Sequence, residues 1–189
     1  MRGELERPSR WLWLVKPILA IPHFLVLVAL GVVAVPVGVA GGVAVAITGR
    51  YPRPLFDYIV GVLRWSWRLS CYSFPVNGTD AYPPFDFGPR ADYPADLEID
   101  YPEQLTHWGP LLKWWLLALP QYLLVFSARM LVPAAALIAG VALLCTGTYP
   151  SGLFDLQVGL ARWRLRVLAY ALLLRDEYPV LRLDQGPRG

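Results

Sequence analysis

The chain has 189 residues, of which 56% are hydrophobic and only 16% charged, and its mean hydropathy is +0.44; soluble domains carry about a quarter charged residues. This composition excludes a disordered or collagen-like chain, and two cysteines, Cys71 and Cys145, are too few for a disulfide-built module or for a zinc or iron–sulfur site. The net charge of +3 divides into an acidic stretch, with seven of the fourteen acidic residues between Asp80 and Glu103, and cations scattered beside apolar runs, a pattern that argues against a nucleic-acid partner.

In chain order, Arg2, Arg7, Arg10 and Lys16 come first, with Trp11 and Trp13 among them. From Pro17 through Gly49, 33 residues pass without Asp, Glu, Lys or Arg. As one helix this run is about 50 Å long, enough to cross a hydrocarbon core of about 30 Å. It exceeds the apolar stretch of about 7 to 15 residues in a signal peptide. Within it, Gly38-x-x-x-Gly42 offers a smooth face for helix packing. His23 reads either as a haem ligand or proton relay, or as a hydrogen-bonded structural residue; the lack of a second ligand favours the structural role.

Thr48-Gly49-x-Tyr51-Pro52 ends the run, because glycine takes the left-handed cap and proline cannot continue a helix. A second helix follows, with Asp57, Gly61, Arg64 and Arg68 spaced 4, 3 and 4 on one stripe. Two readings compete: a steeply inserted hairpin partner, which the length of residues 55–74 favours, or a surface helix anchored by Trp65 and Trp67. Asp57 is either an embedded carboxylate or a favourable charge in a helix first turn. After the acidic Pro/Tyr-rich linker, Trp108, Lys113, Trp114 and Trp115 lead into runs 114–128 and 130–154, interrupted only by Arg129. That arginine is costly at mid-depth unless it snorkels or meets the carbonyl freed by Pro133.

The second run is a copy of the first. At an offset of 98, thirteen of the 25 positions from 48 to 72 are identical, so that Asp155, Gly159, Arg162, Trp163 and Arg166 repeat Asp57, Gly61, Arg64, Trp65 and Arg68. The chain is therefore a tandem duplication. The expected organisation is a first membrane repeat at 1–85, an acidic linker at 86–107, a second repeat at 108–181 and a polar tail at 182–189. The fold class is all-α integral membrane, about four helices, each repeat having a long Pro/Gly-interrupted transmembrane helix and a second amphipathic or spanning one. Such hairpins would set both termini and the linker on one side and both Thr-Gly-x-Tyr-Pro turns on the other.

Ile21-Pro22-His23-Phe24, Thr48-Gly49-Arg50-Tyr51-Pro52, Leu55-Phe56-Asp57, Arg64-Trp65 and Asp80-x-Tyr82-Pro83-Pro84-Phe85, with their second-unit counterparts up to Arg175-Asp176-Glu177-Tyr178-Pro179, resemble a family of bacterial integral membrane proteins, domain of unknown function 4389. The second unit departs where His23 becomes Gln121. The resemblance implies a tandem membrane module and brings no activity.

No phosphate loop, GxSxG, HExxH or CxxC is present, so no catalytic, cofactor or metal residue is expected. The expected function is a non-enzymatic, multi-pass cell-membrane protein serving as an accessory or scaffold subunit. Arg64, Trp65, Arg68, Arg162, Trp163 and Arg166 are its candidate partner or lipid contacts, and Asp57, Asp155 and Arg129 its candidate buried charges. Gly38 and Gly42 are the candidate packing face, and a membrane-protein partner or homo-oligomer is expected beside the bilayer. The alternative is an oligomeric transporter or channel component whose charges line a path.

Overall fold

The computed structural model describes residues 1–180, apart from the side chains of Leu111, Trp114, Trp115 and Arg129. The tail at 182–189 lies outside the described residues, as does the Arg129 side chain. A short strand β1 (Arg2–Gly3) is followed by α1 (Leu12–Leu19), α2 (Ile21–Thr48) and α3 (Arg53–Tyr72). Strand β2 (Ala95–Asp96) pairs antiparallel with β1, Arg2 against Asp96 and Gly3 against Ala95. Then come α4 (Gly109–Leu112), a π-helical turn at Lys113–Leu117, α5 (Leu119–Thr146) and α6 (Ser151–Ala171). Four long helices carry the fold, as the continuous apolar runs predict.

Helices α2 and α5 stop on the same device. Gly49 at φ 68° and Gly147 at φ 73° take the left-handed conformation, and their N–H groups donate to the carbonyls of Val45 and Leu143. The preceding threonines, Thr48 and Thr146, donate to the carbonyls of Ala44 and Ala142 and accept the N–H groups of Arg50 and Thr148. Tyr51 and Tyr149 turn into the core, and extended Pro52 and Pro150 start α3 and α6. Each residue of the Thr-Gly-x-Tyr-Pro element thus has a separate physical task.

The two repeats differ by one residue in their lead-ins: Pro120 follows Lys113 by seven positions, whereas Pro22 follows Lys16 by six. The extra residue is taken up by the π-helical turn Lys113–Leu117, the usual way a helix absorbs a single insertion.

Helix α2 packs along α3, and α5 along α6. Phe56, Ile59, Leu63 and Trp67 of α3 share one buried cluster with Phe154, Val158, Ala161 and Leu165 of α6. Residues 86–105 return along the whole of α3. Gly88 and Leu97 receive Arg68 and Arg64, Tyr101 donates to the Tyr51 carbonyl, and the Leu105 N–H to the Gly49 carbonyl. The N-terminal segment covers the same layer, where Trp67 donates to the Arg2 carbonyl and Arg162 to that of Met1.

The expected separation of turns from termini and linker is not found. Arg10 packs on Gly147 and His107 on Gly49, so that one turn lies against the N-terminal segment and the other against the end of the linker. The reason is that each lead-in packs on the long helix of the other repeat: Trp13 covers Gly140, and Pro110 lines a groove with Gly38 and Gly42.

Candidate functional site

Two polar clasps of matching design stand out. In the first, the Lys16 ammonium donates to Asn77 Oδ1 and the Thr79 carbonyl, both at 2.7 Å, and pairs with Asp80 Oδ1 at 2.7 Å. It also lies 5.4 Å from the ring centre of Tyr72. Lys16 is 1% exposed, so its three donors are all used within the protein. About two helical turns on, the Trp65 indole donates to His23 Nδ1 at 2.9 Å, and Phe85 stacks on the imidazole at 3.9 Å between centres.

The second clasp uses Lys113, Asp176 and Tyr170. Lys113 pairs with Asp176 Oδ1 and lies 5.7 Å from the Tyr170 ring centre. Asp176 also accepts the N–H and hydroxyl of Thr106. Burial pushes the Asp176 carboxyl up, but the bonds from Lys113 and Thr106 outweigh it and hold the pKa below the usual value. Trp163 donates to Gln121 Oε1, and Gln121 Nε2 to the Tyr178 hydroxyl, so the amide occupies the place of His23. Since an amide can do this, the indole bond asks of His23 only an acceptor nitrogen.

The arginines expected at lipid or a partner have partners inside the chain. Arg68 is 0% exposed and donates to the carbonyls of Asp86 and Gly88 and to Asp96 Oδ1. Arg64 donates to the carbonyls of Phe87 and Leu97 and lies 3.4 Å from the same carboxylate. The reason for the departure is the linker, whose carbonyls reach guanidiniums that helical spacing alone leaves facing outward. Trp65 and Trp163 are likewise buried, Arg162 is buried against Met1, and Arg166 is half-buried on α6.

Asp57 is exposed and pairs with Arg53 at 3.9 Å, while Asp155 is half-buried in the first turns of α6. Gly38 and Gly42 face Leu172 and Leu173 just beyond α6, so the expected packing face is met from within the chain. Among the described residues, no three His, Cys, Asp or Glu side chains converge as metal ligands. The clasps themselves escaped the sequence reading. Their signal was present in the recurring Lys, in Tyr72 and Tyr170, and in Asp-x-Tyr-Pro at both Asp80 and Asp176.

Both clasps are built from equivalent positions of two repeats, and a family model, Domain of unknown function (DUF4389), matches those repeats at residues 10–86 and 110–181. The chain belongs to this family. Its two DUF4389 copies stand in tandem, and each match encloses the ion pair of one clasp, Lys16 to Asp80 and Lys113 to Asp176, while Thr106 reaches the second clasp from outside. Most of what Arg64 and Arg68 grip, Phe87, Gly88, Asp96 and Leu97, lies between the two DUF4389 matches. No curated protein and no solved structure shows a match.

Proposed function

We propose that this DUF4389 chain is a non-enzymatic integral protein of the cell membrane, an accessory or scaffold subunit of a larger membrane complex. The observation that supports the membrane reading is the bareness of its most apolar helices. The stretches Leu12–Thr48 and Leu119–Thr146 are long and apolar enough to cross a bilayer, and their most apolar windows are only 11% and 29% buried. A core helix of a soluble protein would be mostly covered. Val28, Val32, Val35 and Val39 of α2 and Leu123, Phe126 and Met130 of α5 stand uncovered, whereas soluble monomers rarely expose contiguous apolar patches larger than a few hundred Å².

The scaffold role is supported by what the polar groups do. Lys16, Lys113, Arg64 and Arg68 are spent on holding the chain's own segments together. The transport alternative draws on charges beside a path, whereas Asp57 sits on the outer surface with Arg53. Gentle extraction of the tagged protein from its native membrane, followed by native mass spectrometry, tests the proposal. A stoichiometric partner is expected; a homo-oligomer alone would move the reading to the transport alternative.

A further inference from the structure

The charges of this molecule run along the full length of its first apolar rod. Helices α1 and α2 lie against α3, with Lys16 by Tyr72, His23 by Trp65 and the Leu30 carbonyl by the Tyr58 hydroxyl. On α3 lies the linker. Successive levels of the rod therefore face Lys16–Asp80, then Arg68 with Asp86 and Asp96, then Arg64, and finally Arg53–Asp57 beside the Arg50 turn. The outermost of these groups are wet: the side chains of Asp86 and Arg53 are 39% and 66% exposed.

A bilayer set across this rod, about 30 Å of hydrocarbon on about 50 Å of helix, would have to hold the middle of that stripe, Arg64 and Arg68 with Asp86 and Asp96, within its hydrocarbon, where charged groups are rare and costly. Set along the rod, the same bilayer meets the exposed apolar side chains of α2, Val28, Val32, Val35 and Val39 among them. The second rod lies beside the first, because Trp13, Leu14 and Pro17 of α1 line one groove with Pro133, Ala136 and Leu137 of α5. The linker and the N-terminal segment cover the α3–α6 layer instead. At the starts of the two lead-ins, Trp11 and Trp108 are highly exposed, where indole rings suit the headgroup level.

We propose that the chain's partner on this face is a single lipid leaflet: α1–α2 and α5 lie in the membrane plane as one embedded apolar face, and neither crosses. This rests on the membrane reading above and replaces the multi-pass expectation with one-sided attachment. The face is built by two helices that are apolar all round, unlike a single amphipathic interfacial helix, and it sinks about 5–10 Å into the boundary of headgroups and acyl chains.

Single cysteines at the exposed positions Ser9, Arg50, Glu103 and Ser151 test it, in a background carrying Cys145→Ser. Cys71 needs no change, since burial pushes its thiol up to about 12. Ser9 and Ser151 flank one end of the first rod, Arg50 and Glu103 the other. Intact cells and inverted vesicles are treated with a membrane-impermeant maleimide. All four sites are expected to react in the same preparation and none in the other. Reaction of Ser9→Cys and Ser151→Cys from one side and of Arg50→Cys and Glu103→Cys from the other would overturn one-sided attachment and leave the membrane reading standing. Release of the protein from membranes by alkaline carbonate would overturn both.

Discussion

Lys16 is the residue on which the first clasp depends. Lys16→Ala leaves Asn77, the Thr79 carbonyl and Asp80 without their donor. Breaking a fully buried pair costs about 3–5 kcal/mol. Asp80 keeps some solvent, so the expected loss is about 2–3 kcal/mol in denaturant unfolding in micelles, with a smaller loss for Lys113→Ala, whose partner Asp176 is more exposed. Gly41 and Gly31 make a cleaner contrast. A Cβ on Gly41 would overlap the Tyr51 ring, whereas around Gly31 nothing lies within 4 Å. Gly41→Ala is expected to destabilise by about 1–3 kcal/mol, and Gly31→Ala to be neutral or slightly stabilising; melting of the two variants checks this. Such contacts were hidden from the sequence, which shows that Gly41 is a glycine but not that Tyr51 folds back onto it.

At the scale of elements, the two long helices and their caps were legible because every ingredient is local: an uninterrupted apolar run, a glycine stop and a proline start. The setting of α3 and α6 was not legible. It depends on 86–105 folding back over α3, with contacts such as Tyr101 to Tyr51, fifty positions apart, that no helical periodicity records. The exchange of lead-ins was hidden for the same reason, and it makes its own prediction. Trp13 and Gly140 are in direct contact, so Gly140→Ala alone is expected to destabilise, and Trp13→Ala to relieve much of that effect in the double variant. A coupling energy within about 0.5 kcal/mol of zero would mean that the lead-in does not pack there.

The second clasp adds a pH dependence. The Asp176 carboxyl is held below its usual 3.8 by Lys113 and Thr106 against the opposing push of burial. A depressed carboxyl contributes stability that is full above the unfolded value and is lost as pH falls through the folded one. Unfolding at pH 7 and below pH 4 should therefore differ more in the parent than in Asp176→Asn; equal differences would show that the clasp carries no titrating charge.

The whole molecule separates into an apolar face made by α1–α2 and α5, a middle layer of α3 and α6, and a polar cover made by the N-terminal segment and linker. Composition pointed to a membrane and the repeat to two units, but the division into faces is a tertiary fact. The measurement that tests it most directly is peptide mapping of the reconstituted protein after irradiation with a phospholipid carrying a photoreactive group on its acyl chain. Adducts are expected on residues 21–48 and 119–146 and none on 53–72 or 86–107. Adducts on α3 or the linker, or none on α2 and α5, would contradict it.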